Sequence, residues 1–180
     1  MIPAPPIALR NRLAETVLSA LTDPTARRQL ESADLAWLED VRPEQAALVR
    51  ARARRAGRAL AECPLPTASP SLEETLAAAA ALFDAGLYFE VHELLEPYWA
   101  QATGEGRQAL QGLIQIAVGF QHLANGNLEG ARSLLAEGSR RLPDGDLPGV
   151  ELIRFAEATA AAARGVGLEP TIVPKFPRAN

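Results

Sequence analysis

Apolar residues recur through most of this chain at spacings of three and four, the period of a helix. Strand signals are nearly absent, since alanine and leucine dominate and β-branched residues are few. Thr22, Asp23 and Pro24 read as a cap followed by a first-turn proline, so one helix ends near Leu21 and a second starts after it. Pro43 opens a third segment, PEQAALVRARARRAGRAL, that reaches about Ala61. The stretch CPLPTASPS, Cys63 to Ser71, has three prolines and no period, and reads as a linker. Ser71 and Glu74 then form a capping box. Helices are predicted over about 72–84, 87–101, 107–124, 128–141 and 148–164. Gly86 and Gly126 stand where a left-handed helix end is wanted, and Asn127 and Asp146 where an N-cap is. The closing GVGLEPTIVPKFPRAN carries three further prolines and should be extended, with Ile172, Val173 and Phe176 packed on the bundle.

The expected fold is all-α: a compact helical bundle of stacked tetratricopeptide-like hairpins with a helical N-terminal extension. The layout is an extension over 1–62, a linker over 63–71, a helical core over 72–164 and a tail over 165–180. The hairpin reading comes from a weak internal repeat. Shifted by 40, LFDAGLYFEVHELL (82–95) lies over HLANGNLEGARSLL (122–135), with Gly86 on Gly126 and Tyr88 on Leu128. Each copy is helix, glycine-bearing turn, helix, a unit that must stack to bury its face.

The polar positions are more selective than the apolar ones. On a helix from Leu87 to Ala100, Glu96 falls about 40° from His92, and both lie inside the apolar arc beside Tyr88 and Trp99. Glu93 is at the edge of that arc. Glu90, about 160° round, is expected in solvent. Pro97 removes a backbone donor near Glu93 and is expected to kink the helix. On the next helix Gln111, Gln115 and His122 form one stripe on a largely apolar cylinder. An unpartnered buried amide or imidazole costs about 1–3 kcal/mol, so the stripe needs partners, and His92 and Glu96 are the ones expected.

Length and charge narrow the function classes. At 180 residues the chain suits one domain, or one domain plus an extension. Residues 1–70 carry 10 arginines against 8 acids, and residues 71–180 carry 8 basic against 14 acidic side chains. The net charge of −4 gives no overall attraction to nucleic acid or anionic membrane. Arg50, Arg54 and Arg58 share a helix face with no interleaved aromatic residue, so a base-stacking platform is missing and a solvated face is expected. One cysteine, Cys63, excludes an intrachain disulfide framework and a cysteine-rich zinc site. Prolines and Arg10 and Arg12 stand where a signal peptide needs its apolar core, and no run is long enough to span a membrane. A cytoplasmic location is the expectation. There is no glycine-rich phosphate loop, nucleophile elbow or Cys-His arrangement.

FDAGLYFEVHELLEPYW followed by LQGLIQIAVGFQHLANGNLEGARSLL resembles the family known as domain of unknown function 309, small helical proteins of bacteria and archaea. The likeness covers roughly residues 76–142. It rests on His92-Glu93, Glu96, Trp99, the run Gly112 to Gln115, His122 and Gly126-Asn127, in family order. It implies an all-helical fold and carries no activity with it.

Two readings of these residues lead, beside a third in which Tyr88, Trp99 and the glutamines floor a small-molecule or peptide pocket. In the first, His92, Glu93, Glu96, Trp99, Tyr88, Gln111, Gln115 and His122 form a buried polar seam that fixes helix register. The protein is then a non-enzymatic interaction module, with a protein partner or self-association, no membrane, no nucleic acid and no cofactor. In the second, His92, Glu96 and His122 hold a divalent metal in a site with open positions. The metal would activate water for hydrolysis, with Glu93 or Glu96 as base. The spacing 92–96 reads HELLE and is not the HExxH of zinc proteases.

Overall fold

The computed structural model describes residues 5–66, 69–168 and 171–178. Among them the chain is all-α, with eight α-helices and no strand. It folds as two compact units, Met1–Glu90 and Val91–Asn180.

The first unit holds α1 (Ile7–Ser19), α2 (Pro24–Ser32), α3 (Pro43–Leu60) and α4 (Leu72–Asp84), and ends inside α5 (Tyr88–Gln101). The local signals act as their chemistry dictates. Asp23 accepts the Thr25 N–H with Pro24 in the first turn, and Ser71 and Glu74 exchange both bonds of a capping box. α1 packs on α2 and α3, and α3 on α4, around Leu13, Val17, Leu30, Val49 and Leu60, all fully buried. The proline-rich stretch 63–71 lies within this unit; its Thr67 and Ala68 are outside the described residues.

The second unit continues α5 and adds α6 (Gly104–Ala124), α7 (Leu128–Arg141) and α8 (Leu152–Gly165). α6 and α7 approach closely because glycines face each other. A Cβ on Gly138 would sit 2.8 Å from the Gly112 carbonyl oxygen and 2.7 Å from Ile116 Cγ1. α7 packs in turn on α8.

The shift of 40 seen in the sequence returns as hydrogen bonds. Gly86 N–H donates to Phe83 and Leu87 N–H to Leu82; Gly126 N–H donates to Leu123 and Asn127 N–H to His122. Each pair is a Schellman ending, with the glycine at φ 75° and 79° respectively. α5 and α7 then start at Tyr88 and Leu128, again 40 apart.

Four expectations are corrected. α8 starts at Leu152, because Gly149 adopts φ 75° and Val150 N–H bonds back to Leu147, making a turn of the stretch expected to open the helix. Asp146 is therefore not an N-cap; its N–H donates to Glu105 O. In the tail Phe176 is buried against Phe155, with ring centroids 5.6 Å apart, but Ile172 is 84% exposed. Glu90 is not in solvent but fully buried.

Candidate functional site

α5 carries its polar residues on two sides. Glu90, in the first unit, accepts from Arg52 of α3, whose Nη2 lies 3.2 Å from Oε1 and 3.0 Å from Oε2. Neither side chain is more than 8% exposed. Also in the first unit, Tyr88 meets Phe83 edge to face at 5.1 Å. Burial pushes its phenol above the ordinary tyrosine range, the Asp84 carboxylate adds to the rise, and Arg55 opposes it.

In the second unit His92, Glu93 and Glu96 converge. One ligand atom from each falls within 4.8 Å of the others. His92 Nδ1 is 3.0 Å from Glu93 Oε1, a distance at which the ring donates to the carboxylate. Nε2 is 3.9 Å from Glu96 Oε2, beyond hydrogen-bond reach. A carboxylate on Nδ1 fixes the tautomer and aims the Nε2 lone pair, as carboxylates behind metal-bound histidines do. All three side chains are partly open to solvent.

His122 is engaged elsewhere. Its Nδ1 accepts from Asn127 Nδ2 at 2.9 Å, while Asn127 Oδ1 caps α7 by accepting Gly130 N–H. The set of close ligand atoms does not include it. The glutamine stripe also meets a different partner from the one expected. Arg141, near the end of α7, donates Nε to Gln115 Oε1, Nη1 to Gln108 Oε1 and Nη2 to Glu137 Oε1, at 3.0, 3.0 and 2.8 Å. The Arg141 bond, with a lesser one from Gln115, holds the Glu137 carboxyl below the usual glutamate range. Gln111 is half-buried and makes no side-chain hydrogen bond among the described residues.

Trp99 lies under Arg107, whose guanidinium carbon is 4.2 Å from the ring centroid. Arg107 Nη1 also donates to the Trp99 and Ala102 carbonyls, closing the end of α5. The Trp99 indole N–H is buried with no hydrogen-bond partner among the described residues.

Sequence reasoning missed Arg52, Arg107 and Arg141, each of which organises a part of this region. Arg52 had a usable signal. It stands off the Arg50–Arg54–Arg58 face as Glu90 stands off the His92 face, and two displaced opposite charges are candidates for a buried pair.

Comparison with known proteins agrees with the resemblance. Residues 76–134 match the family described as "Domain of unknown function (DUF309)". The match holds His92, Glu93, Glu96, Trp99, the α6 glutamines, His122 and Asn127. An uncharacterized protein, YpuF of Bacillus subtilis (strain 168), is 41% identical over 56 residues, 31% of this chain. The chain spans about a third of that relative's length, 32%. No solved structure matches. Among the described residues no helix is long and apolar enough to cross a membrane.

Proposed function

We propose that this chain is a non-enzymatic helical module of the cytoplasm that acts by binding another protein. One observation supports the reading above others. Most of the polar side chains that could have formed a reaction centre are instead paired with one another or with an arginine: Gln108, Gln115 and Glu137 on Arg141, His122 on Asn127, His92 on Glu93. Such bonded networks rigidify a scaffold and fix its register. The test is affinity capture of tagged protein at native abundance, with light scattering to separate a partner from self-association. A reproducible stoichiometric partner is expected; retention of nothing reproducible would sink the reading.

The convergence of His92, Glu93 and Glu96 favours a second reading. His92 Nε2 and Glu96 would hold a divalent cation, with Glu93 orienting the imidazole. A cation there with open positions would supply a polarised water for hydrolysis. Elemental mass spectrometry of untagged protein, beside His92→Ala, decides it. Near-stoichiometric metal lost in the variant supports the site. Its absence after incubation with zinc, manganese and iron(II) removes it.

A further inference from the structure

A shallow groove of about 260 Å³ runs between α7 and α8 in the second unit. Arg132 and Arg140 of α7 and Arg164 of α8 line it, over small residues such as Ala136, Ser139 and Ala163. No carboxylate is among its lining residues. The residues from 71 onward carry 8 basic against 14 acidic side chains, so three guanidiniums gathered on one cleft run against the local composition.

The three arginines are held differently. Arg132 Nη2 donates to Val166 O at 2.8 Å, which ties the start of α7 to the end of α8. Arg140 and Arg164 make no hydrogen bond or ion pair among the described residues. Both stand in the last turns of their helices, where carbonyl dipoles favour a cation. That accounts for their charge but leaves their donors unused. The nearby acid, Glu137, is bonded by Arg141.

We infer that this groove docks an acidic segment of the partner, an inference that rests on the interaction-module reading and names where and what it binds. The spacing suits an extended chain. Arg132 and Arg140 are eight residues apart, about 12 Å along the helix axis. An extended chain covers that span in about four residues and meets Arg140 and Arg164 while Arg132 keeps its bond to Val166 O. The small side chains let its backbone approach the groove floor, and the guanidiniums meet carboxylates projecting from it.

The experiment is fluorescence anisotropy of a fluorescein-labelled oligoglutamate peptide with the full chain at low salt. The variants are Arg140→Gln/Arg164→Gln and, as a control for non-specific attraction, Arg54→Gln/Arg58→Gln on α3. All four side chains are exposed, and circular dichroism checks that each variant folds. The expected result is saturable binding that weakens about tenfold or more in the groove variant and stays within about twofold in the control. No binding, or equal weakening in both variants, overturns the inference. So does tripolyphosphate binding without peptide binding, which would make the groove a phosphate site. Capture with the groove variant separates the two levels. A partner retained equally by wild type and variant ends the groove inference and leaves the module standing. A wild-type protein that retains nothing ends the module reading itself.

Discussion

Removing the Glu90 carboxylate should destabilise the first unit far more than removing the Arg52–Glu90 pair as a whole. The two side chains are 8% and 0% exposed, and one guanidinium nitrogen straddles both carboxylate oxygens at 3.0 and 3.2 Å. At that separation and an effective dielectric of about 20, their attraction is roughly 5 kcal/mol. Burying the two ions costs several kcal/mol each, so the net value of the pair is near zero. The geometry also falls short of a two-pronged fork, and Arg52 Nε has no partner among the described residues. Glu90→Ala leaves that guanidinium buried and uncompensated, at a cost of about 3–5 kcal/mol. For a chain of this length, roughly 2–4 °C per kcal/mol translates the cost into a melting temperature about 6–20 °C lower. Arg52→Met/Glu90→Leu removes both charges and should return to within about 1 kcal/mol of wild type, or exceed it.

The two tryptophans supply the assay, because Trp37 lies in the first unit and Trp99 in the second. In a Trp99→Phe background, urea unfolding followed by fluorescence reports the first unit alone. A single variant within about 1 kcal/mol of its parent would refute the reasoning. A double variant as unstable as the single would do so equally, since the loss would then come from packing around α3 and α5 and not from an orphaned charge.

Two further outcomes follow from other contacts. Gly138→Ala should cost about 1–3 kcal/mol, because its Cβ meets the Gly112 carbonyl, which cannot swing aside; urea unfolding read through Trp99 checks this, and a change under about 0.5 kcal/mol would show that α6 and α7 part easily. Tyr88, read by absorbance in a Tyr98→Phe background, should ionise above the ordinary tyrosine range, and Asp84→Asn should lower its midpoint. Because the folded value is the raised one, its stabilising contribution is complete below the ordinary tyrosine range and is lost as pH rises through the folded value; an Asp84→Asn midpoint equal to its parent's would rule out the carboxylate's part.

What could be read from the sequence was local. Asp23 with Pro24, Ser71 with Glu74 and Asn127 with Gly130 act through neighbours in the chain, and a positive φ at Gly86 or Gly126 is written in the residue type. The shift-of-40 repeat succeeded for the same reason, since it is a repeat of helix endings. The errors arose where the partner lay far along the chain. A helical wheel grants a helix one wet face, which sent Glu90 to solvent; α5 carries Glu90 buried on one side and His92 half-buried on another, and Arg52 is 38 residues away. The sequence points the α6 glutamines to His92 and Glu96, and only the packing of α6 on α7 shows that Arg141 meets Gln108 and Gln115.

The arginines themselves follow a rule that composition alone hides. Arg27 donates to Ala20 O at the end of α1 and to Cys63 O beyond α3. Arg55 donates to Ala85 O at the end of α4, Arg107 to the last carbonyls of α5, and Arg132 to Val166 O after α8. Each guanidinium comes from outside the helix it closes. Each gives an orphaned carbonyl a donor and sets positive charge against the negative end of a helix dipole. A planar group with five donors can serve a carbonyl and still stack or bond elsewhere, as Arg107 does over Trp99, which a lysine ammonium does less well. Within this scheme Arg140 and Arg164 stand at helix ends yet donate to no carbonyl among the described residues. Their unused donors face one groove, and that separates them from the arginines that hold the fold together.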